Sequence, residues 1–595
     1  MTSNFTEINF DARRAMQLYV AGEHDALSAY LLDILGKLKE LRWPVMTPAV
    51  QRFVNAFVTS FGALFTQQDY VLSDQDAIRF ISFNPDIANL VALSPMATTD
   101  QWLEILRDQK ANFAKILTLL NARCGSTFAV EDIYSAERSA ASTWYQVYFE
   151  LFHTGMPTKV MWDNARRHLE QADSRAVYVG PLTGHEYFFL SYIDFVHEAR
   201  LKQVYHRLVK PVMAGIKVVN RPNPRSIAIV TGRWTRTSAV YKSLAPFVEA
   251  LKDRFDLTLV NLRGPYHYGL DFDKSWFKSI RTVSRAGANL DASEILDNDF
   301  ACAYFPDVGM LPEDRHLCNL RFAPIQAMGY GHPVSTHGAE IDYVIGGLEV
   351  ERIEEAAENY SERLVLIPGL GAFPVLPPEV IPGAAPPVGG RLVINCPWSG
   401  YKCNYPHLLR LRRIAEQTGI PVVFRFFVGQ TLTMRNQQII FFKALEDTVG
   451  KDRIEVIEEK PYPIYQQLLR EGALSLDSHA FGGYNTVVDC IALGQPVVTL
   501  QGNQAANRLA SAVLRRVGLK ELVATNEEEY VSIASRLILD APYRARLRER
   551  LAKIVLREVL CRAEEPQAFR RAIEFLIRNH ARLQAEGSRD PIVVR

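Results

Sequence analysis

A chain of 595 residues with 48 % apolar and 22 % charged residues is ordinary for a globular protein and too long for one core, so about three or four domains of roughly 150 residues are expected. Lysine plus arginine number 67 against 66 acidic residues, which excludes an overall basic field and nucleic acid as the main partner. The start, MTSNFTEINFDARR, lacks the apolar core of a signal peptide, no run reaches the ~18 apolar residues of a spanning helix, and seven cysteines without a CxxC pair fit a reducing compartment; a cytoplasmic protein without membrane insertion is expected.

Taken in order, residues 1–222 read as an all-α N-terminal domain. The segment 24–42 places Leu27, Leu31, Ile34, Leu35, Leu38 and Leu41 on one face, and similar stripes run through 51–65 and 101–119. No signature recurs near the ~34-residue period of a tetratricopeptide solenoid. Near the end of this region, PLTGHEYFFLSYIDFVHEAR sets His185 and Glu186 in a loop, a pair that suits taking a proton from an incoming acceptor and equally suits a satisfied surface contact.

The Pro-rich joint Arg221-Pro-Asn-Pro-Arg225 opens a first α/β domain, 223–385. Strands are expected at 226–232, 257–262, 301–305, 333–336 and 364–367, with helices at 238–254 and 324–331. A second proline-dense joint, 374–390, is unsuited to a helix or central strand and separates a second α/β domain, 386–560, with strands at 392–396, 422–427, 454–457, 474–476 and 497–500. A C-terminal helical segment, 561–595, follows, its arginines read as a solvated face.

The most informative stretch is LSLDSHAFGGYNTVVDCIALGQPVVTLQG, residues 474–502. It reads strand, turn, helix, strand, and the turn carries Phe481, Gly482 and Gly483 before Asn485 and Thr486. Such a turn lets backbone N–H groups and the positive end of a helix approach phosphate, although plain packing also uses Gly-Gly turns. Asp489 falls one helical turn after Asn485, where a carboxylate suits ribose hydroxyls. Lys402 follows the first strand of the same domain, in a turn ended by proline, as a point charge for phosphate. Gln430 ends the next strand, Pro461 and Pro463 supply rigid backbone beside a base, and His479 precedes the glycine turn. Asp271 and Asp273 match a loose metal-binding pattern, but no strand leads directly into it, and a lysine with a helix N-terminus suffices for a diphosphate; no metal or other cofactor is expected.

These motifs are recognisable together. LRFAPIQAMGYGHPVSTHGAEIDYVIGG (320–347), the Lys402 turn, FVGQ (427–430) and AFGGYNTVVDCIALGQPVVTLQGNQAANRLASAVLRRVGL (480–519) resemble glycosyltransferase family 41, which holds O-GlcNAc transferase and the bacterial cytoplasmic N-glycosyltransferases of high-molecular-weight adhesins. The resemblance covers about 226–560 and implies a GT-B fold: two facing Rossmann-like domains, acceptor side first and UDP-sugar side second, after the all-α domain. It implies a metal-independent inverting transfer of a hexose from UDP-glucose or a related UDP-sugar to a polypeptide such as an adhesin, at asparagine in Asn-X-Ser/Thr. O-GlcNAc-type transfer to Ser/Thr and a non-catalytic UDP-sugar-binding protein are the alternatives. By motif, Lys402 neutralises the diphosphate, Asn485 and Thr486 bind phosphate, and Asp489 holds the ribose. Gln430 places the donor, Pro461 to Pro463 flank the uracil, and His337 approaches the donor from the opposing domain. The adhesin enzymes carry a histidine-rich turn after the first strand of the first α/β domain; here Gly232 to Ser238 reads GRWTRTS, which leaves the acceptor's base unassigned.

Overall fold

The computed structural model describes residues 8–41, 46–109, 112–134, 138–171, 184–193, 195–263, 271–286, 289–374, 376, 391–428 and 435–594. Its contacts divide it into two compact units, residues 1–189 with 398–412 and 426–459, and residues 190–397 with 413–425 and 460–595. Among the described residues no helix is long and apolar enough to cross a membrane.

The first unit is built on helices where the apolar stripes fall. Helix His24–Glu40 buries Leu27, Leu31, Ile34, Leu35 and Leu38. Helix Pro48–Phe65 starts at Thr47, whose hydroxyl accepts from the amide of Val50 at 3.3 Å, with Pro48 in the first turn, where its missing N–H costs nothing. Phe61, Phe65, Phe80 and Trp102 meet edge and face at centroid distances of 4.7–6.4 Å, giving this layer an aromatic centre. The 101–119 stripe is divided between helices Asp100–Leu106 and Phe113–Leu119. Segment 398–412 joins this unit through the amide of Met156, which donates to the carbonyl of Cys403 at 2.9 Å, and segment 426–459 through the hydroxyl of Thr448, which donates to the carbonyl of Pro157 at 2.7 Å.

The second unit carries a nine-stranded sheet. Its strands are β1 (Val219–Thr231), β2 (Asp256–Arg263), β3 (Ser279–Ala286), β4 (Asn289–Asp291), β5 (Asp297–Phe305), β6 (Ile325–Met328), β7 (Tyr343–Gly347), β8 (Arg363–Ile367) and β15 (Ile592–Val593), in the order β15-β8-β7-β6-β5-β1-β2-β3-β4. The recorded pairings are parallel except β3 with β4. The other sheet holds β9 (Leu392–Cys396), β10 (Val422–Phe427), β11 (Ile454–Ile457), β12 (Leu474–Leu476), β13 (Val497–Leu500) and β14 (Val523–Ala524), in the order β11-β10-β9-β12-β13-β14. A helical region followed by two parallel-sheet α/β domains is therefore the architecture.

Four readings of the first α/β domain are corrected. The joint 221–225 lies inside β1, whose first half pairs, among the described residues, with β5 alone; β2 joins from Ser226 onward, so Pro222 and Pro224 precede the stretch that is paired on both edges. Residues 324–331, expected as a helix, contain β6, whose four residues are all buried; a central parallel strand is apolar on both faces and shows no alternation. Residues 333–336, expected as a strand, form an irregular loop held by Glu362, whose carboxylate accepts from the Ser335 hydroxyl at 2.7 Å and the Thr336 amide at 2.9 Å. The segment after 560 is not confined to a helix: helix Glu564–Glu586 lays Ala568, Phe569, Ala572, Ile573 and Leu576 into the core formed with Ile227, Leu257 and Tyr304, and β15 then pairs with β8. The joint 374–390 falls almost wholly outside the described residues.

Phe569 is 1 % exposed and its ring meets Phe247 at 5.2 Å and Tyr304 at 5.1 Å. Phe569→Ala is expected to cost about 3–5 kcal/mol, read as a lower urea midpoint for the phase that reports on this sheet.

Candidate functional site

Strand β12 is three buried residues long and ends on Asp477, itself 4 % exposed. One oxygen of that carboxylate, Oδ1, accepts from the amide of Gly483 at 2.7 Å, and Oδ2 accepts from the hydroxyl of Thr499 on β13 at 2.7 Å. The turn is also tied by Gly482, whose amide donates to the carbonyl of Ala506 at 2.9 Å, and by Ser478, whose hydroxyl donates to the carbonyl of Phe481 at 2.8 Å. At Gly483 a Cβ would stand 2.3 Å from Thr486 Oγ1 and 3.0 Å from Asp477 Oδ1, so only glycine lets the turn close this tightly. Helix Asn485–Ala492 starts directly from it. β12 and β13 pair in parallel, Ser475 with Val497, which completes the expected strand, helix, strand unit.

Two other helices reach that helix. Asp489 accepts from the hydroxyl of Tyr462 at 2.7 Å. Burial raises the Asp489 carboxyl to about 6, while the Tyr462 hydrogen bond and the nearby Lys242 ammonium act to lower it. Lys242, on helix Ala239–Glu249, stands 5.4 Å from the centre of the Tyr462 ring, and its neighbour Ser243, whose hydroxyl donates to the Ala239 carbonyl at 2.9 Å, stands 3.5 Å from Asn485 Oδ1. Phe481, Tyr192 and His332 form a three-ring cluster, with centroids 4.4 Å apart for Phe481 and Tyr192, 5.6 Å for Phe481 and His332 and 6.4 Å for Tyr192 and His332.

The expected residues thus fall into groups. Phe481, Gly482, Gly483, Asn485, Thr486 and Asp489 share one turn and helix, with His479 half-buried just before them. Pro461 and Pro463 bracket Tyr462 at the start of helix Tyr462–Glu471; the carbonyl of Pro461 accepts from the amides of Ile464 and Tyr465, so this pair brings Tyr462 to Asp489. Lys402 belongs to the first unit, half-buried in the short turn Gly400–Lys402 after β9. His185 and Glu186, expected in a loop, lie in helix Gly184–Phe189, and their side chains are outside the described residues; Phe189 of that helix meets Tyr401 at 5.1 Å, beside Lys402. Tyr187 and Leu190, three positions apart, are the buried residues of this stretch. Gln430 lies outside the described residues.

His337 has a left-handed backbone, φ 52°, which a non-glycine residue adopts at a cost. Its amide donates to Ser335 Oγ at 3.0 Å, so the Glu362 network supports the turn. The ring lines a cavity of about 240 Å³ with Phe195, Glu198, Ser335, Glu358 and Gln504. Burial, reinforced by the Lys202 ammonium, pushes the imidazole down to about 3, so it stands neutral at physiological pH.

Asp271 and Asp273 do different work. Asp273 accepts from the amide and hydroxyl of Ser275 at 3.0 and 2.6 Å, capping the short helix Lys274–Trp276, and Asp271 faces Arg236 at 3.6 Å. In the GRWTRTS loop Trp234 is buried and Ser238 caps helix Ala239–Glu249 by accepting from the amide of Tyr241 at 3.1 Å. Asp477, Tyr462 and Lys242 escaped sequence reasoning. Asp477 reads as the end of a strand pattern, Tyr462 was hidden by attention to its flanking prolines, and Lys242 sits in an unremarkable helix more than two hundred positions away.

Residues 466–564 match the family model described as Glycosyl transferase family 41. A UDP-glucose:protein N-beta-glucosyltransferase of Actinobacillus pleuropneumoniae serotype 5b is 29 % identical over 259 residues, 42 % of this chain and 40 % of that protein. A probable UDP-N-acetylglucosamine--peptide N-acetylglucosaminyltransferase SPINDLY of Solanum lycopersicum is 26 % identical over 273 residues, 45 % of this chain and 28 % of that protein. The chain therefore spans less than half the length of either relative. Among solved structures, a mutant O-GlcNAc transferase of Thermobaculum terrenum superposes over 96 % of this chain and 100 % of its own with a TM-score of 0.55 at 19 % identity, a likeness of fold.

Asp477→Ala is expected to cost about 1–3 kcal/mol for each donor it strands, the Gly483 amide and the Thr499 hydroxyl. Hydrogen exchange of residues 482–486 should accelerate while β1 to β8 keep their protection.

Proposed function

We propose, for a chain whose residues 466–564 match the model of Glycosyl transferase family 41, that it is a metal-independent inverting transferase that moves a hexose from UDP-glucose to asparagine in Asn-X-Ser/Thr of a polypeptide such as an adhesin. The observation that carries this reading is the Asp477-held glycine turn, with Asn485 and Thr486 at a helix start and Asp489 one turn on. A helix N-terminus in a tight glycine turn suits phosphate, and a carboxylate at that distance suits a ribose. The relative named UDP-glucose:protein N-beta-glucosyltransferase supports UDP-glucose as the donor and a protein as the acceptor.

In this reading the asparagine amide nitrogen attacks the anomeric carbon as the bond from that carbon to the β-phosphate oxygen breaks, and one amide proton passes to a general base or to solvent. Negative charge builds on departing UDP. The N-terminal end of helix Asn485–Ala492 stabilises it where it develops, and Lys402 is given the same task by its sequence motif. Uracil lies against the Pro461 to Pro463 segment, Gln430 helps place the donor, and neutral His337 offers a hydrogen bond without adding charge.

One observation favours a second reading, N-acetylglucosamine transfer to serine or threonine. The loop that carries histidines in the adhesin enzymes is here taken up by buried Trp234 and the helix cap Ser238. A hydroxyl acceptor needs only a base, whereas an amide needs stronger activation.

The test is mass spectrometry of Asn-X-Thr and Ser/Thr peptides incubated with the protein, EDTA and each of UDP-glucose, UDP-galactose and UDP-N-acetylglucosamine. A hexose increment on asparagine is expected; an N-acetylhexosamine increment on serine or threonine replaces the first reading by the second, and transfer that EDTA abolishes removes metal independence. Lys402→Ala should lower turnover by about 10²–10³-fold with an unchanged circular dichroism spectrum; wild-type turnover in that variant would displace Lys402 from the donor site.

A further inference from the structure

The carboxylate of Asp489 does not stand alone. Tyr462 engages Oδ1 at 2.7 Å, and no hydrogen bond to Oδ2 occurs among the described residues. Tyr462 is the first residue of its helix, between Pro461 and Pro463, so its position is set by a backbone with little freedom. Its ring faces the Lys242 ammonium at 5.4 Å, and the adjacent Ser243 reaches Asn485, so one face of helix Ala239–Glu249 serves both ends of the Asn485–Asp489 turn. We infer that Tyr462 and Lys242 are positioning residues for a nucleoside diphosphate: they hold the Asp489 carboxylate aimed, through one oxygen, so that the other accepts from a ribose hydroxyl. The inference rests on the donor-site reading above and adds two residues to it.

Charge and protonation are consistent with the geometry. The Tyr462 hydroxyl is pushed far above its usual range by burial and by Asp489, so it stays protonated and donates. The groups facing Asp489 are Tyr462 and Tyr465 from helix Tyr462–Glu471, Lys242 from helix Ala239–Glu249, and Cys490 beside it, a thiol that burial pushes up to about 12. Lys242 is the cation among them. Burial alone drives Asp489 towards the protonated form, in which one oxygen no longer accepts freely; the hydroxyl and the ammonium oppose that drive. Removing either raises the pKa further above about 6, so ionised Asp489 is lost at a higher pH.

The experiment is calorimetric titration of the full chain with UDP-glucose from about pH 5 to about pH 8, a donor whose diphosphate diester keeps its charge over that range. Wild-type affinity should be level above about pH 7 and fall towards about tenfold per pH unit below about pH 6. In Tyr462→Phe the acid limb should move upward, giving roughly threefold to tenfold weaker binding at about pH 6 with a plateau near pH 8 within about twofold of wild type. Lys242→Met should move it the same way and Lys242→Arg should restore it. Asp489→Asn should bind weakly with no limb. If Tyr462→Phe and Lys242→Met lose affinity equally at every pH, or lose none, the positioning role is overturned while the donor site stands. If the wild type fails to bind UDP-glucose at any pH, the donor-site reading falls and takes this inference with it.

Discussion

One buried carboxylate organises the candidate site. Asp477 sits where β12 runs out, and a strand of three residues has no length with which to steer the chain that follows. Its two oxygens do that steering, one fixing the amide of Gly483 and the other binding across to Thr499 on the next strand. A carboxyl group this far from water is costly unless its oxygens are hydrogen-bonded, and here the turn and the neighbouring strand bond one each. The Tyr530 hydroxyl donates to the Asp477 carbonyl at 3.0 Å, so a helix on the far side of the sheet fastens the same residue. The proposed contacts made by the first residues of the helix and by Asp489 one turn further hang from this anchorage.

Much of this was legible in the residues. The alternation of strand and helix from 392 to 500 stands out because each strand is short, apolar and bounded by turn residues, and the glycine turn announces itself by composition. The helical stripes of the N-terminal region are equally plain, since leucines three and four apart leave little choice. Legibility failed where burial removes contrast. β6, with the sequence IQAM, is buried throughout, and nothing in four such residues separates a central strand from a helix. β1 deceived in the opposite way, because two prolines look like a break until one knows that its first half pairs, among the described residues, with β5 alone.

Side-chain alliances were harder still. Asp489 stands out in the sequence as a candidate, but its hydroxyl partner and the cation beyond it come from positions 462 and 242, and no local pattern links them. The same holds for the stack of Tyr192, Phe481 and His332, whose members come from three separate stretches of chain. Sequence periodicity reports which face of an element is buried; it is silent on which distant residue meets that face.

The return of helix Glu564–Glu586 to the first sheet has a consequence for the order in which the molecule is made. Phe247 and Tyr304 leave the ribosome long before Phe569, the ring that covers them, and between them the whole of the second sheet is synthesised. The first α/β domain cannot reach its final packing as it emerges, and its apolar face waits in a partly assembled state while several hundred further residues fold around their own core. Such a face is the kind that chaperones bind and that aggregates nucleate on. The interval between the two halves of this core, set by chain order and not by contact strength, makes late closure of the first sheet the slow and exposed stage of folding.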